Sequence, residues 1–576
     1  MTAGFDPGQR RLNGPQTTGR QYRNLSQPVH AMARDDDVAV PMRDGVELRA
    51  DVHRPAEPGR YPVLVAASPY PRQIQDLGAP MGFIEAGASD WFVPRGYVHL
   101  IVNCRGTGGS GGTFGFFDGQ ERRDMYDLVE WAAAQPWSDG NVGMVGISYF
   151  AMTQMEAAVE RPPHLKAIMP IACTTDLYQS ATHNGLFSSG FVTPFLSMIG
   201  MTSARPDSFW RSKLIAAARA VLHTPAIHHK FETMNGEAAI AGLKAVLKLH
   251  HDPHPWDELW SAIAVEHPFR DGWWDDRDLT PLLDRVEVPV YLGCDWQNVP
   301  LHLPHTFDTI NRLTGSPHVR VALMGEHGLA WPWESLHVEA LAWFDHWLKG
   351  CDTGILDGPR LRYALPGTDE WHSADSWPLP RTQHHPFPLG ADGVLGGDSA
   401  GARAMLTLGA GLGRVRASEI DPPALLAWDS APLAADLDVV GEIELALDAT
   451  STAPDTAWIA TLQDVAPDGQ VTEVTTGYLR AGLRDVDEAQ SRTGAPVMPC
   501  RSFNAVPIGE LTPYRIALVP NARRFKAGHR IRLVLTSDDQ DPDTPAALNF
   551  RHASIGTSCL SHIHSTSRLL LPIAAG

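Results

Sequence analysis

Ser148, in the run Gly143-Met144-Val145-Gly146-Ile147-Ser148-Tyr149-Phe150-Ala151, stands where a hydroxyl could do chemistry. A short apolar stretch runs straight into Gly-x-Ser, and a helix-like stretch leaves it. A serine on such a strand-to-helix turn is presented as a nucleophile, and the turn needs small neighbours so that the backbone can bend. Gly146 meets that need, whereas position 150 holds Phe where the general pattern has Gly. A serine hydroxyl needs a base, and the base needs a carboxylate to orient it. In α/β-hydrolases these follow in the order Ser, acid, His, on loops after later strands. The loop after the apolar run 288–292 reads Gly293-Cys294-Asp295-Trp296-Gln297-Asn298, and the loop after 320–323 reads Met324-Gly325-Glu326-His327-Gly328. The order predicts Ser148 as nucleophile, His327 as base and Asp295 as the residue that fixes the imidazole tautomer.

The elements that must position these groups are readable as alternating strands and helices. Residues 38–48 form two short strands around Asp44-Gly45, a hairpin signature. Apolar runs at 63–67, 98–102, 142–147 and 167–173 suit strands covered on both faces. Segments 124–134 and 149–160 read as helices between them. This alternation predicts an α/β fold with a parallel sheet. Residues 176–270 break the pattern, with helices expected near 213–222 and 237–249, so a helical cap is inserted before strands at 288–292 and 320–323 and a helix at 334–348. From about residue 355 short alternating strands recur, such as 441–447, 458–465 and 530–536, which suggests a β-sandwich or jelly roll. The expected domains are an N-terminal arm (1–35), a hydrolase domain in two parts (36–175 and 271–352), the cap (176–270) and a β domain (353–576).

The 576 residues carry 66 acidic and 47 basic side chains, and the resulting net charge of −19 argues against nucleic acid or an anionic membrane as partner. Six scattered cysteines without a CxxC pair read as buried free thiols. The polar N-terminus lacks the apolar core of a signal peptide, and no stretch is long enough to span a bilayer, so a cytoplasmic location is expected. The glycine-rich run 106–112 lacks the Lys of a phosphate-binding loop. His250, His251 and His254 lack the spacing of a metal site, and Trp273-Trp274 reads as packing.

Several motifs together resemble the bacterial cocaine esterase and X-Pro dipeptidyl-peptidase family of acyl hydrolases. They are Met42-Arg43-Asp44-Gly45-Val46, Asn103-Cys104-Arg105-Gly106, Trp137-Ser138-Asp139-Gly140-Asn141 before the Ser148 motif, residues 344–350 and Ala527-Gly528-His529-Arg530. The resemblance covers roughly residues 36–575. It implies an α/β-hydrolase fold with an inserted helical cap followed by an all-β jelly roll. It also implies an oxyanion hole built from the hydroxyl of Tyr70, in Ser68-Pro69-Tyr70, and the backbone N–H of Tyr149. The chain departs from the family at Ala151, where Gly is usual, and in the acid loop, where Asp295 comes one place early.

The expected activity is hydrolysis of a small-molecule ester or related acyl bond through an acyl-enzyme, with no metal or organic cofactor. Trp296 and Phe150 are the expected pocket residues, and a homodimer is compatible with the sequence. The alternatives are an X-Pro dipeptidyl aminopeptidase or an α-amino-acid ester hydrolase, which need carboxylates such as Glu232 or Glu237 to hold a substrate ammonium. A further alternative from another class is a catalytically inert carbohydrate-binding protein.

Overall fold

A computed structural model describes residues 18–75, 84–203, 205, 207–222, 224, 254–325, 332–380, 382–407, 420–539 and 551–573. Its first sheet contains β1 (Met32–Pro41), β2 (Glu47–Pro55), β3 (Tyr61–Ser68), β4 (Val98–Asn103), β5 (Ser138–Ile147), β6 (Leu165–Ile171), β7 (Val290–Asp295), β8 (Val319–Met324), β9 (Leu361–Ala364) and β10 (Trp371–Ala374). Their order is β1-β2-β4-β3-β5-β6-β7-β8-β9-β10. The pairings from β4 through β9 are parallel, and antiparallel strands flank them at both edges. β3, β4, β6 and β7 are buried along almost their whole lengths, which explains their unbroken apolar runs.

The hairpin read at 38–48 is the β1–β2 turn, where Gly45 has φ 86° and the Val46 N–H donates to Asp44 Oδ1 at 3.1 Å. Helix α1 (Gly119–Ala133) starts at Asp118, whose side chain accepts from the N–H groups of Gln120 and Glu121. Helix α2 (Tyr149–Glu160) is buried from Tyr149 to Val159, because it is covered by α1 as well as by the sheet. After β6 come α3 (Leu177–Thr182), α4 (Ser189–Ser203) and α5 (Lys213–Leu222), which begin the inserted cap. The expected helix at 237–249 lies outside the described residues. Helix α6 (Leu303–Ile310) follows the acid loop, and α7 (Pro332–Lys349) follows β8.

Two boundaries differ from the sequence reading. β1 begins at Met32, inside the expected arm, and the residues before it are fastened to α7: the Thr18 N–H donates to Glu339 at 3.1 Å and the Ser26 N–H to Asp345 at 2.7 Å. β9 and β10 belong to the first sheet although they lie beyond residue 352; β9 pairs in parallel with β8. Both are only four residues long, so their periodicity is too short to separate them from the strands that follow.

The second sheet is antiparallel. Its long central pair is Leu437–Ser451 with Thr512–Phe525, and its first strand, Gln383–Pro388, pairs with its last, Arg568–Ile573. This is the all-β domain expected from the alternating pattern. All six cysteines are free thiols, and five of them are buried.

Candidate active site

Ser148 sits between β5 and α2 with φ 57° and ψ −118°, a left-handed conformation that a non-glycine residue adopts only under restraint. The restraint is visible on both sides. The Ser148 N–H donates to the Ile171 carbonyl at 3.0 Å, and that of Ile147 donates to the Glu85 carbonyl at 3.1 Å. A Cβ at Gly146 would lie 2.2 Å from Phe150 Cβ, so the glycine before the nucleophile is obligatory. Phe150 itself is fully buried, its ring edge-on to Tyr70 at 6.0 Å.

Tyr70 follows β3 and hydrogen-bonds to Ser148. Burial, with the Glu85 carboxylate adding to it, pushes its phenol well above the usual range despite that bond. The hydroxyl therefore stays protonated and available as a donor. Tyr149 is the first residue of α2, so its backbone N–H is one the helix ladder does not use. A tyrosine hydroxyl and a helix-start amide beside one serine can stabilise an oxyanion.

Asp295 ends β7 in register with Met324, the last residue of β8. It is buried and accepts from the Gln297 N–H at 2.6 Å. β7 pairs with β6, and β6 with β5, so Asp295 and Ser148 share the C-terminal edge of the sheet. His327 lies outside the described residues, three positions after Met324 in the sequence. Among the described residues, His302 at the start of α6 is brought to Ser148: its Nε2 is 3.1 Å from Ser148 Oγ. Sequence reasoning missed it. The available signal was a His-x-x-His pair, His302 and His305, shortly after the acid loop.

A family model described as X-Pro dipeptidyl-peptidase (S15 family) matches residues 44–334, a span that takes in Tyr70, Ser148, Asp295 and His302. The chain belongs to that family. Residues 311–546 match the X-Pro dipeptidyl-peptidase C-terminal non-catalytic domain. The family is hydrolytic, and this chain is an enzyme of it. A cocaine esterase of Rhodococcus sp. (strain MB1 Bresler) is 27% identical over 93% of this chain and 98% of its own length. In fold, the chain is similar to a CocE/NonD family hydrolase from Staphylococcus aureus, with TM-score 0.74 and 23% identity over 94% of each chain. It is similar also to an α-amino acid ester hydrolase, with TM-score 0.68 and 17% identity over 97% of this chain and 99% of that one.

In this S15-family chain Trp296 is 1% exposed, stacked on Phe307 and packed near Trp377 and Tyr363. Its indole N–H donates to the Ala364 carbonyl at 2.7 Å, and its carbonyl accepts from Asn521 of the β domain at 2.9 Å. The side chain is interior packing that seats the β domain behind the acid loop. Glu232, Glu237, His250 and His251 lie outside the described residues. Trp274 is fully buried and edge-on to Trp273, as expected of packing. Among the described residues no three His, Cys, Asp or Glu side chains form a metal-holding group, and no helix is long and apolar enough to cross a membrane.

Two buried networks hold the oxyanion side. Asn103 Nδ2 donates to the Tyr70 carbonyl at 2.7 Å, and the buried Arg72 bonds Asn103 Oδ1 at 3.2 Å and Asp51 at 3.1 Å. Arg34 and, from the cap, Arg211 also reach Asp51. Burial alone would raise the Asp51 pKa, yet Arg72 first, then the Asp37 N–H and the other two arginines, hold it below the usual carboxylate range. Asp51→Asn removes the buried carboxylate that the three arginines share and leaves the buried Arg72 only the half-exposed Asp37, so a loss of up to about 3–5 kcal/mol in stability is expected, measured by urea unfolding.

On the other side, the Tyr149 hydroxyl donates to Glu121 Oε1 at 2.8 Å, with Glu156 buried beside it. Burial, then the charge of Asp118, pushes Glu121 up to about 8, and burial, with Glu121 adding to it, pushes Glu156 well above the ordinary carboxyl range too. The ordinary carboxyl value is 4.5. Between that value and the raised one the unfolded chain binds fewer protons than the folded one, so stability falls as pH rises through this window. Glu121→Gln keeps an acceptor for Tyr149 and removes the titration. Its melting temperature is expected to exceed that of the unmodified protein at about pH 8, with the gap closing towards about pH 5. An equal gap at both pH values would contradict this account of Glu121.

Proposed function

We propose that this enzyme hydrolyses a carboxylic ester through an acyl-enzyme on Ser148. The observation that carries the reading is the strained Ser148 backbone, which aims the hydroxyl at the Tyr70 phenol and beside the Tyr149 amide. In this reading Ser148 Oγ attacks the ester carbonyl, and His327 takes the serine proton and passes it to the leaving alkoxide. Asp295 fixes the tautomer of His327, and Tyr70 and the Tyr149 N–H stabilise the oxyanion. Water then attacks the acyl-enzyme by the same route. The assignment of His327 rests on chain order: it follows β8, the neighbour of the strand that ends in Asp295.

Ester preference is supported by the full-length likeness to a cocaine esterase. A second reading, an aminoacyl-ester or X-Pro hydrolase, is favoured by Glu85, a carboxylate near enough to Tyr70 to act on its pKa. It would meet a substrate ammonium close to the nucleophile. A panel of p-nitrophenyl esters set against aminoacyl and X-Pro anilides separates the two. Turnover of simple esters with little on the anilides supports the first reading, and the reverse order supports the second. Inactivity on both would overturn the function proposed.

A further inference from the structure

His302 touches the reacting oxygen but lacks what a base requires. Its Nδ1 lies 2.9 Å from the Thr174 hydroxyl, not beside a carboxylate. Thr174 Oγ1 is 3.2 Å from Ser180 Oγ, and Ser180 Oγ is 2.8 Å from His305 Nε2. All four side chains are buried, and they come from the loop after β6, from α3 and from the start of α6. The far end of this chain sets its direction. Among the described residues, the buried His305 Nδ1 meets no hydrogen-bond partner. A buried N–H without an acceptor is the rarer and costlier orphan, so the proton of His305 belongs on Nε2, which donates to Ser180. Either hydroxyl of the Ser180–Thr174 pair can donate; with Ser180 as donor, its proton goes to Thr174 at 3.2 Å in preference to the Leu301 carbonyl at 3.4 Å. Thr174 in turn donates to His302 Nδ1, and the proton of His302 is left on Nε2, facing Ser148 Oγ.

We propose that His302 is a second histidine of the catalytic centre that acts as a fixed hydrogen-bond donor to Ser148 Oγ and assists deacylation. The inference rests on the acyl-enzyme reading above. When water adds to the acyl carbonyl and the tetrahedral intermediate collapses, the C–Oγ bond breaks and its electron pair returns to Oγ. The base gives Oγ a proton in that step; His302 transfers none, and its Nε2–H steadies the charge building on the departing oxygen. In acylation the same oxygen loses electron density, so the donor helps less there. Burial, with His305 adding to it, pushes His302 down to about 3, which keeps it a neutral donor at working pH and makes it a poor base.

The test uses the full-length enzyme with a p-nitrophenyl ester in stopped flow. His302→Leu removes the donor, whereas His302→Gln restores an N–H of similar reach. The expected result for His302→Leu is a burst of p-nitrophenol near one equivalent followed by a steady rate lowered about 10- to 100-fold, the cost of roughly 1.5–3 kcal/mol for a hydrogen bond to a charged group. His302→Gln is expected to recover most of that rate, and both variants should keep the rise in activity near pH 6–7.5 of an ordinary histidine base at about 6.5. Unchanged steady turnover without a burst in His302→Leu overturns the donor role alone. Loss of the burst itself in a folded His302→Leu, with His327→Ala still active, makes His302 the base and overturns the assignment of His327 instead.

Discussion

Ser148→Ala is expected to lower kcat by about 10⁴- to 10⁶-fold while the protein remains folded, because removal of a nucleophile disables the whole catalytic unit. The substitution takes away the atom that Tyr70 and His302 both address, and it leaves the strained turn as it is. Alanine at φ 57° is no more comfortable than serine, so its melting temperature should stay close to that of the unmodified enzyme. Ser148→Gly relieves the left-handed backbone, whose cost is of order 1–3 kcal/mol, and should melt higher than Ser148→Ala. Both are inactive in this account. Residual kcat above a few per cent in Ser148→Ala would place the nucleophile elsewhere, and an equal melting temperature for the two would mean the turn stores no strain.

Tyr70→Phe and Asp295→Asn are the second pair of expected large effects, read with the same ester. Tyr70→Phe deletes one hydroxyl and keeps the ring that packs among Tyr149, Phe150 and Phe195. Loss of one oxyanion donor typically lowers kcat about 10²- to 10³-fold. Asp295→Asn favours the wrong imidazole tautomer, and the loss should approach roughly 10⁴-fold. KM should move little in either variant, since both groups act on the transition state. A crippled Tyr70→Phe beside a nearly normal Asp295→Asn would keep the oxyanion assignment and send the triad acid to another loop. A wild-type kcat in Tyr70→Phe would remove the phenol from the oxyanion hole.

The legible parts of the sequence were those in which one local pattern decides the structure. β3 to β8 are apolar because both faces are covered, and Ser148 is marked by a strand, two glycines and a helix within a few residues. Tyr70 was not legible from periodicity at all; the resemblance to known acyl hydrolases supplied it. His302 escaped both routes: the His302–His305 pair is a weak signal, and the contact with Ser148 depends on where α6 and α3 pack. The first part of β1, before residue 38, was hidden for an electrostatic reason. The strand's segment MARDDDVAVP is acid-rich, but Asp35 pairs with Arg54 at 2.7 Å and Arg34 with Asp51 at 2.9 Å, so the charges are matched across the edge strand. Trp296 and Phe150 read as pocket residues because they adjoin catalytic positions; both are buried, Phe150 with its ring edge-on to Tyr70 and Trp296 stacked on Phe307.

The central claim, an activated serine at position 148, is tested most directly by titration with a serine-directed fluorophosphonate and mass spectrometry of the labelled protein. The account predicts one equivalent of label, carried by the peptide containing Ser148, with loss of esterase activity in proportion. Absence of label, or label on another residue in an active preparation, would contradict it.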